Sequence, residues 1–131
     1  MKVTVDTNVL VRSVVRDDAR QAAAADRLLR SAELIAITLP CLCEFVWVLR
    51  KLYGVAHDDV AQTIRALLAV GNVAADRSAA EAGLAVLEKG GDFADGVIAF
   101  EGSRLGGQDF VSFDRQALKL LKAAGLPARL A

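Results

Sequence analysis

The opening run Met1-Lys-Val-Thr-Val-Asp-Thr-Asn-Val-Leu10 restricts the fold more than any other stretch of the chain. Val3 and Val5 alternate with Lys2 and Thr4, and Val and Thr favour strands, so residues 2–5 read as a short β-strand. Asp6 follows, and Thr7-Asn8 then hands over to an apolar helical run from Val9. A carboxylate between the carboxyl end of a strand and the start of a helix lies on the edge where open α/β sheets place their ligands.

The alternation of strand and helix signals continues to the carboxyl terminus. Val9 to about Val15 reads as a helix, and Asp17-Asp18 starts a second, Ala-rich helix through Ser31. Residues 34–38 form a strand. Pro40 fits the first turn of a helix that runs to Tyr53 and stops at Gly54. His57-Asp58-Asp59 opens a helix to Val70, residues 72–75 make a short strand, and Asp76-Arg77-Ser78 precedes a helix to Lys89. After the Gly90-Gly91 break, 92–105 is helical, 109–113 a strand and 114–124 a helix, with a final short strand beyond Pro127. The expected fold is α/β, a central and mostly parallel sheet of about four or five short strands covered by about seven helices. With 131 residues and no repeat or linker, the chain reads as a single domain, 1–131.

Composition narrows the functional classes. Lys plus Arg equals Asp plus Glu at 16 each, which argues against a chain that holds nucleic acid by bulk charge. A hydrophobic fraction of 54% and a mean hydropathy of +0.37 predict that some apolar surface is covered in a subunit or partner interface. Asp6 interrupts the amino terminus before any long apolar run, so no secretory signal is expected. Leu34 to Leu49 is broken by Pro40 and Glu44 and is too short to span a membrane. Cys41 and Cys43 point to opposite sides of their helix and should not pair, which fits a reducing cytoplasm. One His leaves too few soft ligands for zinc, and His57 itself reads as a helix-start or surface residue.

Four acids stand out. Asp6, Asp92 and Asp114 each precede a helix, where Asp caps free N–H groups, so singly each has an ordinary explanation. Glu44 does not, because Leu42-Cys-Glu-Phe-Val-Trp-Val-Leu49 surrounds it with apolar residues. An ionised carboxylate buried there would need a partner or a cation. Asp95 lies in the first turn of a helix arriving at a sheet edge. If Asp6, Glu44, Asp95 and Asp114 gather, their repulsion favours a hard divalent cation, Mg²⁺ or Mn²⁺, over any soft metal.

Val5-Asp-Thr-Asn-Val-Leu10, the isolated Glu44, Asp92-Phe-Ala-Asp-Gly-Val-Ile-Ala99 and Val111-Ser-Phe-Asp114 resemble, in order, the four acidic motifs of the PIN domain. In length and arrangement the chain is most similar to VapC toxins, the ribonucleases of bacterial type II toxin–antitoxin pairs. The resemblance implies a PIN-like fold and an Mg²⁺- or Mn²⁺-dependent endoribonuclease. It carries metal ligation most firmly to Asp6 and Asp95, with Glu44 and Asp114 completing a catalytic acidic pocket. Thr7, Asn8 and Ser112 become supporting hydrogen-bonding groups, with Ser112 standing where the family often has Thr. Asp92 is left between a cap and an outer ligand. The resemblance also implies an RNA substrate, a homodimer and a cognate antitoxin that covers the pocket.

An acidic pocket needs flanking cations to receive RNA, and Arg12, Arg16, Arg50 and Arg115 are the candidates, with Lys51, Arg104 and Lys119 behind them. Two other readings compete. A phospho-acceptor receiver domain shares the length and alternation but wants an acid pair after the first strand and a Lys after a late one. Here Asp6 stands alone, the middle strand ends in Thr38-Leu39-Pro40, and no Lys follows Ser112. The second is a PIN-like module that has lost activity and only binds.

Overall fold

The computed structural model describes all 131 residues and divides into two compact units, residues 1–76 and 77–131. In the first unit, β1 (Lys2–Thr4), β2 (Leu34–Ala36) and β3 (Val73–Ala74) form a parallel sheet in the order β1-β2-β3. Lys2 pairs with Leu34 and Thr4 with Ala36, and Val5 N–H extends the ladder by donating to Ala36 O at 3.2 Å. The two strands therefore end together, and the chain leaves both at one edge.

Helices α1 (Thr7–Val15), α2 (Ala19–Ser31), α3 (Leu39–Lys51) and α4 (His57–Leu68) belong to the same unit. Local chemistry sets their limits. Asp18 caps α2 by accepting from Gln21 N–H at 3.0 Å, and Thr38 caps α3 by accepting from Cys41 N–H at 3.3 Å. Pro40 occupies the first turn of α3, as expected, and the chain turns away at Gly54, whose φ of +63° favours glycine. Leu10, Ile35, Leu42, Phe45, Leu49, Val60 and Ile64 are fully buried.

In the second unit, α5 (Arg77–Leu87), α6 (Phe93–Arg104) and α7 (Arg115–Ala123) accompany β4 (Phe110–Ser112) and β5 (Ala128–Leu130), which pair in parallel. Helices α5 and α6 approach closely because of Gly96. A Cβ there would fall 2.3 Å from Ala82 O and 2.8 Å from Gly83 Cα. Val86, Leu118, Leu121 and Ala128 make a small core with Phe110 and Leu126 packed against it. The five strands and seven helices expected from the sequence are present and every strand pairing is parallel. The ladders are two, of three and two strands. No helix is long and apolar enough to cross a membrane.

Candidate active site

In the first unit the edge where β1 and β2 end carries Asp6 and the start of α3. Asp6 occupies the N-cap position of α1 with extended backbone, yet its side chain accepts no capping hydrogen bond. The next residue, Thr7, is buried and donates from Oγ1 to Cys41 Sγ at 3.8 Å, tying the start of α1 to the first turn of α3. Glu44 lies one turn beyond Cys41. Burial pushes the Cys41 thiol above its ordinary pKa; the Thr7 bond works against this, and the charges of Asp6 and Glu44 add to it. The fields of both acids thus meet at one buried sulfur. Cys41 and Cys43 are both free thiols, as their spacing predicts.

Glu44 corrects the sequence reading. It is exposed, as is Trp47 one turn on, while Cys41, Leu42, Phe45, Val46 and Leu49 form the buried stripe of α3. Apolar neighbours in sequence do not bury a residue on the far side of the helix. Its carboxylate makes no hydrogen bond or ion pair, a state it shares with the exposed Asp58, Asp59 and Glu101.

In the second unit, three acids lie at the starts of α6 and α7. Asp92 caps α6, its Oδ1 accepting from Ala94 N–H at 2.9 Å and its Oδ2 lying outside the cap. Asp114 caps α7, its Oδ1 accepting from Gln116 N–H at 3.0 Å and Ala117 N–H at 3.1 Å, so its Oδ2 remains outside the cap. Ser112 Oγ accepts from Asp114 N–H at 3.0 Å and fixes the approach to that cap. Asp95 is half-buried in the first turn of α6, and its side chain makes no hydrogen bond or ion pair. Burial raises its pKa above the usual carboxylate value, and repulsion from Asp92 and then Asp114 raises it further.

The structure uses most of the proposed RNA-contact residues for other purposes. Arg12 pairs with Asp17 at 2.6 Å, and Tyr53 Oη donates to the other oxygen of Asp17 at 3.0 Å. Arg16 holds Asp26 with two bonds of 3.0 and 2.8 Å. Arg50 donates to Val55 O at 2.7 Å, closing the turn after α3. Their acid and carbonyl partners were not visible in sequence because the pairings depend on how α1, α2 and α3 turn. Arg115 alone of the four is exposed without such a partner. Asn8 is exposed and lines a groove of about 410 Å³ with Val9, Arg12, Gln21 and Leu28, making no hydrogen bond of its own. His57 begins α4, its pKa lowered by burial first and then by Arg50.

Residues 3–123 match the PIN domain family. The chain belongs to that family. PIN domains are in general nucleases that use divalent metal ions. A comparison with curated proteins finds no match. The candidate donors, Asp6, Glu44, Asp95 and Asp114, are all carboxylates, a chemistry that fits a hard cation and no soft one. No group of three or more His, Cys, Asp or Glu side chains is already drawn together to hold an ion. Of the four acids singled out by the motif resemblance, Asp6, Glu44 and Asp95 have side chains with no protein partner, and Asp114 keeps one oxygen outside its cap.

Proposed function

We propose that this PIN domain is an Mg²⁺- or Mn²⁺-dependent endoribonuclease, with Asp6, Glu44, Asp95 and Asp114 as its metal-holding and catalytic set. One observation carries the reading: in this PIN-family chain Asp95 is the one half-buried acid whose side chain makes no hydrogen bond or ion pair, and Asp92 and Asp114 crowd it. A half-buried carboxylate that served only the fold would show a hydrogen bond or an ion pair.

A bound divalent cation supplies Lewis-acid activation of water and neutralises charge growing on the scissile phosphate. The chain's own residues do the rest. Asp6 and Asp95 present unengaged carboxylates as ligands. Capping by Gln116 and Ala117 fixes the Asp114 carboxyl and leaves Oδ2 as its working atom, while Ser112 holds the backbone that aims it. In this proposal Glu44, solvated and unbonded, accepts the proton of the attacking water. Thr7 fixes the Asp6 corner through Cys41.

The order and spacing of the acidic motifs extend the proposal to a VapC-type toxin, acting in the cytoplasm as a homodimer and restrained by an antitoxin. Trp47, Leu52 and Leu105, 55%, 65% and 90% exposed, supply apolar surface for such partners. The test is cleavage of RNA by purified protein in Mg²⁺ or Mn²⁺, repeated with EDTA and with Asp6→Asn. Cleavage should vanish in both controls, and persistence in either rejects the mechanism. RNA binding without cleavage under every metal condition would identify the inactive binding module instead.

A further inference from the structure

Phe113 is 84% exposed, the most exposed aromatic side chain of the protein. Strand alternation accounts for its direction: Phe110 and Ser112 are half-buried, while Val111 and Phe113 face outward. The backbone around it is pinned on both sides. Ala131 N–H donates to Ser112 O at 3.0 Å, Ser112 Oγ accepts from Asp114 N–H, and Asp114 caps α7 with two bonds. A phenyl ring on a loose loop would fold back against apolar neighbours, whereas this one is held in water by a fixed corner.

Its surroundings are charged. Asp114 and Arg115 follow directly, and Lys119 lies one turn along α7 on the face of Arg115. Arg115 and Lys119 are both exposed with no acidic partner, while Asp109, the nearest other acid along β4, is occupied by Arg129 at 3.6 Å. A lone ring between an acid and free cations is a poor seat for an amphipathic helix, which needs a continuous apolar stripe. It suits a nucleobase, whose face stacks on the ring while its phosphates meet the cations.

We infer that Phe113 is a base-stacking platform for single-stranded RNA, with Arg115 and Lys119 contacting the flanking phosphates. This deepens, and rests on, the ribonuclease reading, because it seats a nucleotide beside Asp114. Stacking of this kind is tolerant of sequence and requires an unpaired base, so single strands are the substrate class. Val111 and Leu130, 46% and 39% exposed, make a protein partner the competing occupant.

The experiment uses the full chain in EDTA, which keeps RNA intact, and short single-stranded RNAs with 2-aminopurine replacing each base in turn. Fluorescence should be quenched at one or two adjacent positions, and a duplex of the same sequence should show no quenching. Phe113→Trp should preserve the signal. Phe113→Ala and Phe113→Leu should abolish it and weaken binding by about 5- to 150-fold, the range for one lost base stack. If the Leu variant binds and quenches like the parent, the contact is merely apolar and the inference fails. It fails too if every variant binds RNA equally while the Ala variant loses self-association, since the ring then belongs to a protein interface. Quenching without any cleavage in Mn²⁺ would reject the nuclease reading and leave the platform standing. Cleavage with quenching unaffected by Phe113→Ala would do the reverse.

Discussion

Asp6 and Asp114 both occupy N-cap positions, yet the structure gives them different work, and substitution separates the two. The Asp114 carboxylate accepts two backbone N–H groups at 3.0 and 3.1 Å, whereas the Asp6 side chain accepts none. Losing a cap of the Asp114 kind costs about 1–2 kcal/mol, and losing the charge at the positive end of a helix dipole adds ~0.3–1 kcal/mol. Asp114→Ala should therefore lose roughly 1.3–3 kcal/mol. Asp114→Asn keeps a competent cap and should lose only the dipole part, as should Asp6→Ala. For 131 residues at ~2.1 cal/mol/K per residue, 1 kcal/mol moves Tm by about 4 °C. The expected falls are then roughly 5–12 °C for Asp114→Ala and about 1–4 °C for the other two. Thermal unfolding followed by far-UV circular dichroism in EDTA reads all three without interference from metal. If Asp6→Ala falls as far as Asp114→Ala, Asp6 is a structural cap and its claim to a free ligand role is lost. If Asp114→Asn falls as far as Asp114→Ala, the two hydrogen bonds are not what holds α7.

Asp95→Asn should remove Mn²⁺-induced stabilisation while raising Tm in EDTA at neutral pH, because burial and then Asp92 and Asp114 disfavour its charge. Its folded-state pKa is raised, so its stabilising contribution is complete below the ordinary carboxylate range and disappears as pH rises through the raised value. The advantage of Asn should accordingly grow from acid toward neutral pH; an advantage that shrinks over that range would contradict the assignment. Gly96→Ala should lose at least ~1–3 kcal/mol or prevent folding, since its Cβ would meet backbone at 2.3 Å. Gly102→Ala in the same helix meets nothing within 4 Å and should gain about 0.5–1 kcal/mol, so equal Tm values for the two variants would dispose of the close-approach account.

The element order was legible because each boundary had its own local chemistry. Asp18, Thr38, Asp92 and Asp114 cap the helices that follow them, and Gly54 ends the turn after α3. The acids at 6, 44, 95 and 114 were singled out as a set by motif order. What no local signal could supply was the pairing of side chains distant in sequence. Tyr53 reaches Asp17 across 36 positions, Thr7 reaches Cys41 across 34, and Arg16 chooses Asp26 over solvent. Those choices removed Arg12 and Arg16 from the pool of free cations.

Glu44 shows why a contiguous apolar stretch misleads. On a helix each residue advances about 100°, and the stripe formed by Cys41, Leu42, Phe45, Val46 and Leu49 leaves Glu44 about 130° and Trp47 about 170° from its centre. Counting apolar neighbours three and four residues away includes Trp47, which faces water itself. The consequence reaches the chemistry. A buried, unpaired carboxylate would demand a cation merely for the chain to fold, so metal would be structural. Hydration satisfies an exposed one, so Asp6 and Glu44 tolerate the metal-free state. The case for a cation then comes from charge crowding, which is visible at Asp95, where burial and then Asp92 and Asp114 raise the carboxyl pKa. On the proposed reading, a cation that relieves crowding without being needed for folding would put metal dependence in the reaction rather than in the fold, so EDTA should abolish cleavage while leaving the far-UV circular dichroism spectrum unchanged.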